Sequence, residues 1–258
     1  MTTNKALLVK VPAITLFFWI IKVLSTTVGE TLADYLNSTL GLGDNGTILV
    51  MGIVLAVILS AQLLLTKYLP AIYWASIVAI STVGTLITDN LHTNLGWENW
   101  QLTLLFGLVL GAVFILWWNQ EKTLSIKTIN TRKREGFYWV AVLSTFAMGT
   151  AAGDIFLDDL GMPLQQSILI FSAVIATLAG LWRIKVLGPV VGFWLIYILT
   201  RPLGASFGDY LSLSKDEAPD ALGLGAQNVT VVFLTLIIAL VTYLSFSKSD
   251  VIEDTTTS

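Results

Sequence analysis

Hydrophobic residues run along this chain in long blocks, separated by short polar or glycine-rich breaks. A helix needs roughly 20 apolar residues to cross the hydrocarbon core of a bilayer. Eight blocks meet that length, over residues 12–36, 47–66, 70–91, 100–119, 136–157, 164–183, 187–211 and 226–246. Gly, Asn, Asp and Pro punctuate the gaps, as between Gly41 and Gly46 and between Gly161 and Pro163. The pattern predicts an all-α polytopic membrane protein. Lys5 and Lys10 precede the first block as they would in a signal peptide, but the block runs past Lys22 to Asp34 without a small-residue cleavage site. It reads as a retained first span.

Composition narrows the class. Of 258 residues, 55% are hydrophobic and 12% charged, with a mean hydropathy of +0.79. Soluble domains carry about 25% charged residues, so a soluble enzyme and a disordered chain are both excluded. The absence of Cys removes disulfides, thiol nucleophiles and Cys-held metals, and the single His92 removes a multi-histidine site. No Gly-x-Ser-x-Gly or zincin motif is present, so neither enzymatic chemistry nor a cofactor is expected. A net charge of −3 gives no reason to expect a nucleic-acid partner. The expected partners are the lipid bilayer and a small ion or solute; monomer and homo-oligomer are both left open.

Lys and Arg favour cytoplasmic loops. Eleven of the 14 fall before span 1, between spans 2 and 3, 4 and 5, 6 and 7, or after span 8. The opposite loops carry only Lys215, while Lys22 and Arg201 sit within spans. Both termini are therefore expected in the cytoplasm.

The odd-numbered spans share a repeat. Trp19, Trp74, Trp139 and Trp194 each follow an aromatic residue: Phe18, Tyr73, Tyr138 and Phe193. Ten residues later stand Gly29, Gly84, Gly149 and Gly204. Four further on comes a small residue (Ala33, Thr88, Gly153, Gly208), and the next is always Asp: Asp34, Asp89, Asp154, Asp209. A Leu-Gly pair then ends at Gly41, Gly96 and Gly161, and is delayed to Gly223 in the fourth repeat by an insertion at 212–221. The Trp spacings of 55, 65 and 55 residues divide the chain into two halves. The first is 1–120, with repeats 1 and 2; the second is 136–248, with repeats 3 and 4. A basic linker, 121–135, joins them, and 249–258 is a polar tail. Each unit holds two spans, so the repeats are parallel in the membrane.

These residues, with the run from Phe17 to Glu30, make the chain resemble the bacterial integral membrane proteins built from four tandem repeats of unknown function, each with two spans and a signature Trp. The resemblance covers nearly the whole chain outside the tails. It implies a bacterial inner-membrane location and no established activity.

The Trp residues suit either the headgroup interface or substrate stacking, and the Gly and small residues suit close helix packing at the bundle centre. Each Asp lies about 22 Å beyond its Trp at 1.5 Å rise per residue, near the opposite rim. It either anchors the outer loops or joins a cluster of carboxylates facing the interior. Offsets of 3, 7, 11 and 15 from the Trp share one helix stripe. This stripe holds Lys22, Thr26, Glu30 and Asp34 in repeat 1, and Ile77, Ser81, Thr85 and Asp89 in repeat 2. It holds Val142, Phe146, Thr150 and Asp154 in repeat 3, and Tyr197, Arg201, Ala205 and Asp209 in repeat 4. A charge in mid-bilayer is disfavoured by roughly 2.5–3.5 kcal/mol on insertion scales. The stripe should therefore face protein or a water-filled cavity, while the even spans, uncharged over 48–65, 164–182 and 229–245, form the lipid-facing or packing shell. Pro202, beside Arg201, marks a tolerated kink or a hinge.

Three functions fit. The first is movement of a small hard cation, a divalent metal or a proton. Asp34, Asp89, Asp154, Asp209 and Glu30 would bind the ion, with the four Asp as the metal ligands. Thr26, Ser81, Thr85 and Thr150 would supply a hydroxyl lining, and Lys22 and Arg201 a gate or counter-charge. The second is transport of an anion or organic solute on Lys22 and Arg201. The third is a structural or sensory module held together by buried ion pairs.

Overall fold

The computed structural model describes residues 9–252; Lys5 and the end of the polar tail beyond Ile252 lie outside them. Eight helices are long and apolar enough to span a membrane, and no strand occurs among the described residues. They are α1 (Leu16–Asp34), α2 (Gly43–Leu64), α3 (Pro70–Leu95), α4 (Asn99–Glu121), α5 (Arg132–Asp154), α6 (Leu164–Arg183), α7 (Pro189–Ser212) and α8 (Ala226–Ser247).

Local chemistry sets the ends. The Thr15 hydroxyl accepts from the Phe18 N–H and begins α1, and the Thr131 hydroxyl accepts from Arg134 N–H at α5. Glu98 and Gln101 form a reciprocal capping box at α4. Pro70 and Pro189 open α3 and α7, where a missing N–H does no harm. The repeated Leu-Gly has a conformational cause: Gly41, Gly96, Gly161 and Gly223 all have φ between 60° and 73°, a left-handed region open to Gly without strain. Gly223 shares it despite its displaced position, so the insertion lies upstream of it.

Two boundaries differ from the hydropathy reading. Helix α5 starts at Arg132, so Arg132, Lys133 and Arg134 form its first turn instead of belonging to the linker. Glu121 compensates these charges, with Arg134 at 2.8 Å and Lys133 at 3.4 Å. Helices α1 and α5 also continue past their Asp as single π-turns, Tyr35–Thr39 and Ile155–Asp159. Helices α3 and α7 pass through Asp89 and Asp209 without one. Repeats 1 and 3 thus share one geometry at the Asp, and repeats 2 and 4 the other.

The odd helices close a ring: α1 packs on α3 and α7, and α5 packs on the same two. Each even helix packs chiefly on the odd helix of the following repeat, α2 on α3, α4 on α5, α6 on α7 and α8 on α1. The repeats therefore interlock cyclically. The burial pattern agrees: in an apolar 18-residue stretch of each span, 56–72% of the residues are buried in the odd helices against 17–28% in the even ones.

The repeated Gly residues form the joints. A Cβ at Gly29 would strike Ser81, at Gly84 Phe146, at Gly149 Arg201 and at Gly204 Thr26. In every case the neighbour is the residue seven past the Trp of the next odd helix. The small-residue faces draw the odd helices together at the centre, as the packing reading expects.

Candidate functional site

The first and last described residues and the interhelical loops rich in Lys and Arg lie at one end of the bundle, the basic end; the four repeated Asp mark the other, the acidic end. Four aromatic residues form a layer near the basic end. Phe18, Tyr73, Tyr138 and Phe193 are all buried, and the Tyr73 and Tyr138 hydroxyls hydrogen-bond at 2.5 Å. Trp74, Trp139 and Trp194 are buried against this layer instead of facing lipid, which corrects the interfacial expectation for three of the four. Their rings complete an aromatic core, and Trp194 Nε1 donates to the Leu124 carbonyl at 3.1 Å.

Next comes Lys22, fully buried, its Nζ 4.0 Å from the Phe146 ring centre and 4.2 Å from that of Tyr197. It faces aromatic π-clouds and has no carboxylate or hydrogen-bond partner among the described residues. One turn towards the acidic end, Arg201 crosses between helices. Its Nη2 lies 2.5 Å from Glu30 Oε2 on α1 and donates to the Thr85 hydroxyl on α3. Arg201 thus ties α7 to α1 and α3, while its Nε and Nη1 have no partner among the described residues.

Exposure rises towards the acidic end. The Arg201 side chain is 1% exposed and that of Glu30 14%, and all four Asp are partly exposed. Arg201 and Glu30 are charged neighbours of Asp34, Asp89, Asp154 and Asp209 alike. The four Asp share the electrostatic influence of this pair. They are not equivalent. Ligand oxygens of Glu30, Asp34 and Asp209 lie within 4.8 Å of one another, at the seam between α1 and α7. Asp89 and Asp154 do not belong to this group, so the structure brings two of the four repeated Asp together with Glu30 and leaves the other two apart. The reason is geometric: Arg201 occupies the seven-residue position of α7 and draws Glu30 towards the seam.

The hydroxyl lining is partly spent on backbone. Thr26 donates to the Val23 and Thr200 carbonyls, and Thr150 to that of Phe146. Ser81 is buried at the Gly29 joint without a partner among the described residues. Thr85 alone of the four meets a charged side chain, that of Arg201. The cluster brings several carboxyl oxygens into one small volume, the donor type that hard cations take.

Hydropathy did not single out two buried networks at the basic end. Lys10 pairs with Glu135 at 2.5 Å, both buried; it also donates to the Gln62 and Leu63 carbonyls, and Gln62 Nε2 donates to Glu135. Tyr68 donates to Asp250 at 2.5 Å. The Ala13 N–H donates to the Asp250 carbonyl, and that of Lys10 to Ile129. Together these tie the stretch 10–13 to Asp250 and to the 124–130 segment at the basic end. An isolated Glu in a basic stretch gives no periodic signal.

No curated protein and no solved structure matches the chain. The family model for a Repeat of Unknown Function (DUF347) matches four times, over residues 17–68, 72–123, 137–185 and 192–250. These segments reproduce the four Trp-to-Asp units, so the chain belongs to the DUF347 repeat family.

Proposed function

We propose that the protein carries a small hard cation, a divalent metal ion or a proton, across the inner membrane along the stripe facing the ring's centre. The observation that carries this reading is the approach of Glu30, Asp34 and Asp209 within 4.8 Å of one another at the partly exposed acidic end. Carboxylate oxygens favour Mg²⁺, Mn²⁺ or Ca²⁺ over softer metals. The positive-inside rule puts the basic end and both termini in the cytoplasm, with the carboxylates facing outward. In this arrangement the ion meets the carboxylates first. Arg201 then competes with it for Glu30, and the aromatic layer closes the route below Lys22. The partial exposure of the four Asp and the burial of the aromatic layer support a state open towards the acidic end and shut at the basic end. Conduction would require both the Arg201–Glu30 pair and the aromatic layer to part.

An anion reading has less support, because Arg201 is already engaged by Glu30. The test is Mn²⁺ entry into proteoliposomes loaded with a metal-quenched dye. Flux above that of protein-free vesicles, lost in Asp34→Asn and Asp209→Asn, supports the proposal. A folded parent protein that moves neither Mn²⁺ nor protons overturns it.

A further inference from the structure

The fourth repeat alone carries the insertion 212–221, and the stripe gives it no role. It follows α7 directly and is held firmly. The Leu222, Leu224 and Gly225 N–H groups donate to the carbonyls of Tyr210, Leu211 and Ser212. Asp220 accepts from the Gln165 N–H at the start of α6, at 2.9 Å. The segment therefore walls a cavity of about 370 Å³ between the ends of α1 and α7. Asp34, Ser38, Thr39, Ser212, Ser214 and Glu217 supply its polar wall, and no Lys or Arg lines it.

Three observations point to a ligand. Asp34 belongs both to this wall and to the three-carboxylate cluster, so the cavity leads to the seam. The Ser212 hydroxyl, on a residue only 6% exposed, has no partner among the described residues. Glu217 accepts from the Ser214 N–H at 3.0 Å and its hydroxyl at 2.7 Å, both on Oε2. Its other oxygen, Oε1, accepts nothing among the described residues.

We infer that this cavity is an antechamber that takes a hydrated divalent cation, held by Glu217, Asp34 and the surrounding hydroxyls, before the ion reaches the seam. The inference rests on the cation reading proposed for the carboxylate cluster and gives it a single, off-axis approach. Hydroxyls and water-bridged carboxylates suit an ion that keeps much of its hydration shell, as Mg²⁺ does and Mn²⁺ does in part. Loss of the shell would come one step deeper, at Glu30 and Asp209. The other three repeats lack the insertion, so approach is through the seam of repeats 1 and 4 and not through four equivalent doors.

The chain has no Cys, so Asp216→Cys, on the exposed face of the insertion, accepts a unique trifluoromethyl tag. Mn²⁺ titrated into the tagged full-length protein in detergent should broaden its fluorine line at low concentration. Added to that background, Glu217→Gln should require roughly tenfold more Mn²⁺, the scale of losing a metal-supporting partner. Ser212→Ala should move the titration the same way. A line that ignores Mn²⁺, or equal titrations for Glu217→Gln and the tagged parent at matched melting temperature, overturns the antechamber. Broadening without vesicle flux would keep the antechamber and defeat transport; flux without broadening would do the reverse.

Discussion

Gly204 in α7 lies so close to α1 that a Cβ there would overlap the Thr26 hydroxyl, which itself donates to the Thr200 carbonyl at 3.1 Å. This contact closes the fourth repeat onto the first. A larger side chain must push the two helices apart, and overpacking of this kind costs about 1–3 kcal/mol. Gly204→Val is expected to lower the melting temperature in detergent. Gly52→Val, at a position with nothing within 4 Å of an added Cβ, is the control and should melt like the parent.

The Arg201–Glu30 pair should behave as a coupled unit. Arg201→Met leaves Glu30 facing the other carboxylates without its counter-charge, and breaking a buried pair costs roughly 3–5 kcal/mol. Arg201→Met/Glu30→Met removes both charges and should recover much of that loss. A double-mutant cycle on unfolding measures the coupling; strict additivity would show that the pair contributes nothing to holding α7 on α1.

At the basic end, Glu135→Gln leaves Lys10 without its carboxylate while preserving shape. The segment around Lys10 should then open more often. Trypsin should cut after Lys10 about tenfold faster, as 1.4 kcal/mol of local destabilisation implies. An unchanged cutting rate would mean that the carboxylate does not hold the segment down.

Asp250 gives a pH signature. Burial raises its carboxyl above the ordinary value of 3.8, outweighing the Tyr68 hydrogen bond that favours the anion. Between the unfolded and folded values the folded protein binds more protons. Stability from this group therefore falls as pH rises through that window. Asp250→Asn retains an acceptor for Tyr68 and removes the titration. The melting-temperature difference, variant minus parent, should grow as pH is raised from about 4 towards 7. A difference that stays flat, or shrinks, contradicts the assignment.

The eight spans, the repeat and the central ring were legible because they depend on periodic features: span length, Gly contacts and the left-handed Gly after each Asp. The stripe containing Lys22, Glu30, Arg201 and the four Asp could be read from a four-residue period. Which carboxylates meet could not, since repeats aligned in sequence look equivalent and only the side-chain bridge from Arg201 to Glu30 breaks that equivalence. The Trp residues misled for a related reason: an indole near a span end has the same spacing whether it faces lipid or the next helix. Glu217 was marked only indirectly, by the insertion that carries it. Lys10–Glu135 joins residues 125 apart, and no local pattern reports a contact of that range.

The account depends most on a cation being held by Glu30, Asp34 and Asp209 at the junction of the first and fourth repeats. A crystal of the full chain soaked in Mn²⁺ and measured at the manganese absorption edge tests this directly. The account predicts an anomalous peak between those three carboxylates, with oxygens at about 2.0–2.6 Å as hard divalent ions require. Carboxylates with no peak between them at saturating Mn²⁺, or a peak equidistant from all four Asp, would contradict it.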